Sequence, residues 1–468
     1  MATYPPLKVR DLPQPLPWQK ALGVGVVMMG LAIGTGELIL WPHLVVKHGL
    51  NLLWFALAGI TCQFFINQEV ARHAIATGES FFTTSARWFK WTAPFWFISA
   101  ILLYIWPGWA SAIGTTLKEL FGFGDYLHWA WVTLALVLVL TWSGKVAYKV
   151  LETTLKVVVP TFFILLLVVS FFNLSGADLA AAWQDFSNVE GLLDGVDLNV
   201  LLGAIVFAGA GGMLNLCLSL WYRDKHLGMG QYFGQITNPI TGHRQSQTAT
   251  GYTFLETREN LRRWRGWFRY VLVDQGLIFW LLGVITLGLL SVNAFVVLSP
   301  RGLVPDGLNI AVVQAHIFGE QWGIWGYNLF LVMAFLMLFS VMWTVLDALT
   351  RILSDIIYTN TQVGPFSKAL VRLRRLTSSQ LYYITIGVVV LFGAALIPWQ
   401  QPLVLLTTSA VLGGLSMAIY TPLLIYFNNT KLPRSIRPGI FTNIIMFLTA
   451  LFFIFFALSA ILNILPRH

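Results

Sequence analysis

Eleven long runs of apolar residues, separated by shorter polar segments, dominate the hydrophobic pattern of the chain. A helix needs roughly 20 apolar residues to cross the hydrocarbon core of a membrane. The runs lie at residues 21–46, 51–76, 93–118, 127–143, 147–173, 198–222, 269–297, 324–350, 380–397, 402–427 and 439–464. The pattern therefore predicts an all-α integral membrane protein with about eleven transmembrane helices.

Glycines interrupt two of these runs, the first and the sixth. A break in a membrane helix frees backbone N–H and C=O groups, which are tolerated only inside protein or against a watery cavity. Interrupted helices at matching positions in two halves of a membrane protein point to a transporter binding site. The residues at and beside the two breaks, which we predict to bind substrate, are Gly34, Thr35, Gly36, Glu37, Gly209, Ala210, Gly211 and Asn215.

Small residues four positions apart also allow membrane helices to pack closely, which is a second interpretation of the same glycines. It applies to Gly30 with Gly34 and to Ala208 with Gly212. The symmetric placement of the two breaks favours a binding site over simple packing.

Runs one to five and six to ten form two equal sets, and an odd number of crossings in each set inverts the second relative to the first. We predict a 5+5 inverted repeat with broken helices 1 and 6, plus one added helix. The predicted parts are a cytoplasmic N-terminal segment at 1–20, repeats at 21–173 and 198–427, a cytoplasmic loop at 223–268 within the second repeat, and helix 11 at 439–464. Within that loop, the basic residues 254–268 are predicted to form a short helix on the inner membrane surface.

The charge of the chain follows its predicted topology. Only 10% of residues are charged and 57% are apolar, which excludes a soluble globular protein, and the net charge is +9. With a cytoplasmic N-terminus, nearly all Lys and Arg fall in cytoplasmic segments, as the positive-inside rule requires. The basic charge therefore indicates a multi-pass plasma-membrane protein in contact with lipid, with its C-terminus outside, and not a nucleic-acid partner. The two cysteines support neither a disulfide framework nor a metal motif, and no cofactor is expected.

Glu37 is the carboxylate inside the first break. An isolated charge at that depth costs about 2.5–3.5 kcal/mol on insertion scales, so it should face a cavity or a partner. Alternatively, Glu37 caps the half-helix that follows the break. Asn215 can offer its amide oxygen to a cation or bond to the unwound backbone. Glu37 and Asn215 are therefore the candidate metal ligands.

Polar residues near the cytoplasmic end of helix 2 are candidates for gating or coupling. Glu69, Arg72 and His73 lie three and four positions apart and share one helical face. An interfacial ion pair is the alternative interpretation. Asp347 in helix 8, near the same side, is a further candidate.

Some of these residues carry a family resemblance. Residues 69–72 read Glu-Val-Ala-Arg with Thr77-Gly78 after them, residues 148–152 read Tyr-Lys-Val-Leu-Glu, and residues 202–204 read Leu-Gly-Ala. In these segments the chain resembles the Nramp (natural resistance-associated macrophage protein) metal transporters of the amino acid–polyamine–organocation superfamily. The resemblance implies a two-repeat core, broken first and sixth helices, and alternating access.

The diagnostic metal motifs of that family are absent here. Its Asp-Pro-Gly-Asn motif falls on residues 34–37, where only a glycine is kept. Its Met-Pro-His motif falls on Phe207, Ala208 and Gly209, which adds Phe207 and Ala208 to the predicted substrate site. The soft sulfur ligand is lost, so the oxygen ligands favour a hard ion such as Mg²⁺ over a soft transition metal.

The function predicted from the sequence is a secondary-active transporter for a divalent cation. A transporter of an organic cation, amino acid or other small solute on the same scaffold is the alternative. No nucleotide-binding motif, His-Glu-x-x-His motif or pair of membrane aspartates is present, so an ATP-driven pump or an intramembrane enzyme is not expected. A channel remains a third class, and the oligomeric state is left open.

Overall fold

The computed structural model describes residues 4–105, 108–243, 248–306, 309–364, 366–368, 370–399 and 402–464. The side chains at positions 35, 399, 402–407, 463 and 464 lie outside this description. Within the described residues, ten helices are long and apolar enough to cross a membrane. Two shorter helices, one before and one after the second glycine break, make up the sixth crossing.

We number the membrane helices in chain order and leave the short connecting helices unnumbered. They are α1 (Val24–His48), α2 (Leu53–Thr77), α3a (Thr92–Tyr104), α3b (Gly108–Phe121), α4 (Tyr126–Ser143), α5 (Ala147–Asn173), α6a (Leu198–Phe207), α6b (Leu214–Asp224), α7 (Arg258–Arg301), α8 (His316–Gln362), α9 (Ser378–Leu396), α10 (Pro402–Thr430) and α11 (Ile440–Ile464). The short helices are Trp18–Ala21, Phe81–Trp88, Gly176–Ser187 and Ile310–Gln314. The eleven crossings agree with the eleven predicted runs.

The interruption of α1 is a π-helical segment, Ile33–Leu40, between two α-helical pieces. The chain therefore does not unwind at the glycines as a simple break would. Each backbone hydrogen bond instead spans one residue more than in an α-helix. Such π-helical turns are frequent at functional sites.

The interruption of α6 is a true break. The α-helix stops at Phe207, and a new helix starts at Leu214. Between them, Gly211 and Gly212 have φ angles of +77° and +56°. These left-handed conformations are strained for residues with a Cβ, which explains the paired glycines.

The basic segment before the seventh apolar run differs from its prediction. Residues Arg258–Val273 form the first turns of α7 and continue through a π-helical segment, Asp274–Leu281, into the apolar part of the helix. The prediction of a separate helix along the membrane surface at 254–268 is therefore wrong. Its tryptophans, Trp264 and Trp267, are buried inside the protein.

The N-terminal segment is fixed to this same region. Lys8–Val9 and Tyr252–Thr253 form a two-stranded parallel sheet, and the backbone N–H of Leu12 donates to Asn260 Oδ1 at 3.0 Å. We call this end of the bundle the N-terminal side. It also holds the ends of α2, α6b, α8 and α10 and the starts of α5, α7 and α9.

At the centre of the bundle, α1 packs against α5, α7 and α8, and α6a packs against α1 and α10. The two interrupted helices are thus neighbours and are enclosed by the others.

Candidate functional site

The break in α6 is bridged by the side chain of Gln63 from the middle of α2. Its Nε2 donates to the carbonyl oxygen of Val206 at 2.8 Å, and its Oε1 accepts the N–H of Gly211 at 2.9 Å. Gln63 is fully buried. One amide therefore satisfies a freed carbonyl before the break and a freed N–H within it.

Two tyrosine hydroxyls bind the backbone on the far side of the break. Tyr104 of α3a donates to the carbonyl of Gly211 at 3.2 Å and accepts the N–H of Leu214 at 3.1 Å. Tyr420 of α10 donates to the carbonyl of Gly212 at 3.0 Å. The unwound segment is thus held by α2, α3a and α10, as buried backbone groups away from water require.

The π-helical segment of α1 lies directly on the end of α6a. A Cβ on Gly36 would be 1.7 Å from the carbonyl oxygen of Phe207, so only glycine fits. One turn later, Trp41 Nε1 donates to the carbonyl of Ala204 at 3.0 Å. The two interrupted helices therefore meet at this point through their backbones.

Glu37 follows Gly36 and has no exposed surface. Among the described residues, neither of its carboxylate oxygens has a hydrogen-bond partner. The Thr286 hydroxyl of α7 is close to it. That hydroxyl donates instead to the carbonyls of Leu282 and Gly283, at 3.1 and 3.2 Å. Glu37 therefore does not cap a half-helix here, which removes the alternative interpretation of this residue.

Asn215, at the start of α6b, belongs to a chain of buried amides. Its Nδ2 donates to Asn67 Oδ1 at 2.8 Å and to Gln63 Oε1 at 3.4 Å. Asn215 Oδ1 and Asn67 Nδ2 have no hydrogen-bond partner within the described part of the chain. The site therefore offers one unused acceptor and one unused donor beside the break.

The other predicted substrate-binding residues lie at or beside the two interruptions. Phe207, Ala208 and Ala210 are buried, and a Cβ on Gly209 would be 2.5 Å from Gln63 Oε1. The side chain of Thr35 lies outside the described residues. No hydrogen bond or ion pair of the described residues joins Glu37 to Asn215. Within the same residues, no group of three His, Cys, Asp or Glu side chains is placed to hold a metal ion.

The three candidates in α2 fasten that helix to α10 on the N-terminal side. Arg72 Nε lies 2.9 Å from Glu69 Oε1, and Asn428 of α10 donates to Glu69 Oε2 at 2.8 Å. His73 contacts Asn428 Oδ1 at 3.2 Å and Thr84 Oγ1 at 2.8 Å. All three candidates are buried, so the ion pair lies inside the protein.

Asp347 of α8 joins α6b and α9. It accepts hydrogen bonds from Trp221 Nε1 at 3.0 Å, Tyr382 Oη at 2.5 Å and Arg351 Nε at 2.6 Å. Arg351 also bonds to Asp224 at the end of α6b. The group is almost completely buried, so each charge depends on its partners.

A second ion pair continues this network. Arg223 Nη1 lies 2.7 Å from Asp355 Oδ1, and Ser80 Oγ donates to the other oxygen of Asp355 at 2.5 Å. The network crosses the N-terminal side from α9 through α8 and α6b to the short helix Phe81–Trp88.

Sequence reasoning missed several of these groups, namely Gln63, Tyr104, Tyr420 and Arg351. For Gln63, the sequence does contain a signal, which is its spacing of four residues from Asn67. Two amides four residues apart in an apolar run share one helical face, and such a polar face is expected to point into the bundle and not toward lipid. The tyrosines carry no comparable signal, because each is one aromatic residue in an apolar run.

Comparison with solved structures places this arrangement in a known fold of membrane transporters. The chain is similar to the manganese transporter of Eremococcus coleocola in complex with an aromatic bis-isothiourea compound, at 13% identity over 97% of this chain and 89% of the other, with a TM-score of 0.68. It is also similar to MHP1, a nucleobase-cation-symport-1 family transporter with bromovinylhydantoin bound, at 16% identity over 96% and 93%, with a TM-score of 0.57. A third likeness is to MhsT in complex with L-phenylalanine, at 15% identity over 94% and 98%, with a TM-score of 0.56.

These likenesses concern the fold. They confirm an all-α membrane protein with inverted repeats and the distant structural relation to the Nramp transporters expected from the sequence. No protein-family model matches the chain, and no curated protein matches it.

Proposed function

We propose that the chain is a secondary-active transporter that works by alternating access and carries a small solute with one positively charged group. It is then a multi-pass membrane protein and not an enzyme. The shared fold supports the proposal, because solved proteins with this fold include a manganese transporter and a nucleobase-cation-symport-1 family transporter. The N-terminus is proposed to face the cytoplasm, as the charge distribution indicates.

The proposal rests on the burial of Glu37 and on its lack of a hydrogen-bond partner. Its carboxylate is buried beside the break in α6 and has no hydrogen-bond partner among the described residues. An unpaired buried charge is strongly unfavourable, so the ionised form needs a cation and the empty form needs a proton. A group of this kind binds a positive charge reversibly, as a transport cycle requires.

The charge of the cargo follows from the number of carboxylates. Glu37 is a single acid, and its nearest polar neighbours in α7 are a hydroxyl and backbone carbonyls. One carboxylate neutralises one positive charge, which fits the ammonium group of an organic cation or amino acid. Asn215 Oδ1 and Asn67 Nδ2 are then available for the polar remainder of the solute.

A hard divalent cation such as Mg²⁺ is the second candidate. The unused amide oxygen of Asn215 favours it, because hard ions take carboxylate and amide oxygens together. The likeness to a manganese transporter also favours a metal. In this case Glu37 and Asn215 are the proposed ligands, and they must approach each other when the ion binds.

The buried network around Asp347 is proposed to close the N-terminal side in this structure. Opening that side would separate α8 from α6b and break the contacts of Arg351 with Asp224 and of Asp347 with Trp221. Glu69, Arg72 and His73 are proposed to keep α2 and α10 together during this movement.

Uptake into liposomes that contain the purified protein tests the function. The panel contains Mg²⁺, Mn²⁺, amino acids and organic amines, each measured for saturation and for exchange with unlabelled cargo. Saturable uptake of an ammonium-bearing solute is expected, with a loss of at least about tenfold in Glu37→Gln. Thermal stability should be kept or raised in this variant, because it removes an unpaired buried carboxylate.

Glu119→Gln is the matched control, since Glu119 is an exposed carboxylate outside the site. Full uptake by Glu37→Gln would overturn the role of Glu37. Saturable uptake of Mg²⁺ that depends on Glu37 would establish the metal instead of the organic cation. Flux that does not saturate would replace the transporter by a channel.

A further inference from the structure

A basic cavity opens on the N-terminal side, where the start of α1, the start of α5 and the end of α6b meet. Its volume is about 620 Å³, and its charged lining residues are Lys20, Lys149, Lys156, Lys225 and Glu152. Four lysines therefore face one carboxylate. None of these side chains belongs to the site at the two interrupted helices.

Ion pairing uses only part of this positive charge. Glu152 lies 2.7 Å from Lys156 Nζ and also bonds to Lys225. Within the described residues, no ion pair involves Lys20 or Lys149, and both are exposed. The cavity thus keeps an excess of positive charge.

Two further hydrogen-bond donors line the cavity and have no acceptor among the described residues. They are the Tyr148 hydroxyl and Gln231 Nε2, and both atoms are buried. Tyr148 is a residue with only 2% of its surface exposed. Buried hydrogen-bond donors normally have an acceptor. Two unused donors beside an excess of lysines therefore indicate a binding site for an anion with several oxygens.

The four lysines lie at or near helix ends, which is where a membrane-spanning bundle meets the lipid headgroups. Lys20 lies just before the first residue of α1, Lys149 and Lys156 lie in the first three turns of α5, and Lys225 directly follows α6b. Lysines at helix ends extend to the interface, where basic pockets between helices bind anionic headgroups.

We propose that this cavity binds a phosphate group, supplied by an anionic lipid headgroup. The phosphate oxygens would accept from Tyr148 and Gln231 and pair with Lys20 and Lys149. They would also compete with Glu152 for Lys225.

Through this competition for Lys225, a bound phosphate would affect the start of α1. A Cβ on Gly23, the residue before α1, would be 2.1 Å from Glu152 Oε1 and 2.9 Å from Lys225 Nζ. The start of α1 therefore rests on this ion pair, and a phosphate that loosens the pair would change how tightly α1 is held. The phosphate site itself does not depend on the proposed transport function.

Binding measurements on the purified protein test the proposal. Native mass spectrometry in detergent would compare dioctanoyl phosphatidylglycerol, dioctanoyl phosphatidylcholine and inorganic phosphate as probes. The test variant is Lys20→Gln/Lys149→Gln, because both side chains are exposed and their loss should not prevent folding. Lys118→Gln is the control, since this exposed lysine lies at the other end of the bundle.

Wild type and the control should bind phosphatidylglycerol more tightly than phosphatidylcholine, and the double variant should lose at least about tenfold in affinity. Tyr148→Phe should weaken the same binding without removing a charge. If inorganic phosphate binds and depends on the same lysines, the phosphate site stands and its natural source is soluble instead of lipid. The proposal is overturned if neither anionic probe binds, or if the double variant binds both as wild type does.

Discussion

Gly36 in α1 and Phe207 in α6a are in contact through their backbones. A Cβ on Gly36 would be 1.7 Å from the Phe207 carbonyl oxygen, which is far inside van der Waals distance. The two interrupted helices are therefore separated by no side chain at this point. Any solute that binds beside Glu37 lies next to a junction that has no spare room.

Gly36→Ala should separate the two interrupted helices. Overpacking of this kind costs about 1–3 kcal/mol, and the backbone acceptor cannot rotate away as a side chain can. We expect a lower melting temperature and loss of uptake. The control is Gly288→Ala in α7, where a Cβ meets no atom of the described residues within 4 Å. Normal uptake by Gly36→Ala would show that this contact is dispensable.

Gln63→Leu should destabilise the break in α6. The change keeps the approximate size of the side chain but leaves the carbonyl of Val206 and the N–H of Gly211 without their partner. A buried polar group without a partner costs about 1–3 kcal/mol. Thermal unfolding and uptake should both show the loss, while Gln184→Leu, at an exposed position in the short helix Gly176–Ser187, should behave as wild type. Equal stability of the two variants would exclude a bridging role for Gln63.

Asp347→Asn should be strongly destabilising because it removes one partner of a buried ion pair. The expected loss is about 3–5 kcal/mol, since Arg351 stays buried with less compensation. Adding Arg351→Met should cost less than the sum of the two single changes, which a double-mutant cycle of melting temperatures would measure. Glu320→Gln, in the exposed pair with Arg301, should change stability by under about 1 kcal/mol. Strict additivity of the two buried changes would argue against a coupled network.

Glu256 provides a pH-dependent contact outside the membrane. The Ser435 hydroxyl, together with the N–H groups of Ser435 and Arg434 at 3.1 and 3.0 Å, lowers the pKa of this carboxyl below its usual value. A lowered pKa means that the contact stabilises the fold above the pKa of the unfolded chain, about 4.3. That stability is lost as the pH falls through the lower pKa of the folded protein.

Glu256→Gln should therefore melt below wild type at pH 7, and the difference should shrink on acidification. Because Glu256 is exposed, the effect at pH 7 should stay under about 1 kcal/mol. Glu190→Gln, at another exposed carboxylate, is the control. A difference that grows as the pH falls would have the wrong sign for this mechanism.

The fold was largely predictable because lipid imposes a strong pattern on the sequence. Eleven apolar runs give eleven crossings, and paired glycines at 211 and 212 are needed for their left-handed backbone. The glycines at 34 and 36 serve a different purpose. They allow α1 to approach α8 and α6a closely, within the π-helical segment 33–40.

The site was less predictable because its residues come from helices distant in the chain. Asn215 was found from its place after the break, but its partner Gln63 lies 152 residues away. The basic segment 254–268 was assigned to a surface helix because the residues that cover it are also distant in the chain. The carbonyls of Leu12 and Pro13 accept hydrogen bonds from Arg263 and Trp267 of this segment, and Trp267 is buried beneath the N-terminal residues.

Hydrogen bonds at the start of α1 also join this helix to α7. Asp274, in the π-helical segment of α7, accepts the N–H groups of Gly23 and Gly25 at the start of α1, at 3.0 and 2.6 Å. If the start of α1 tilts while these hydrogen bonds are kept, the part of α7 around Asp274 moves with it. The two π-helical segments, at 33–40 and 274–281, are then the positions at which we expect α1 and α7 to bend.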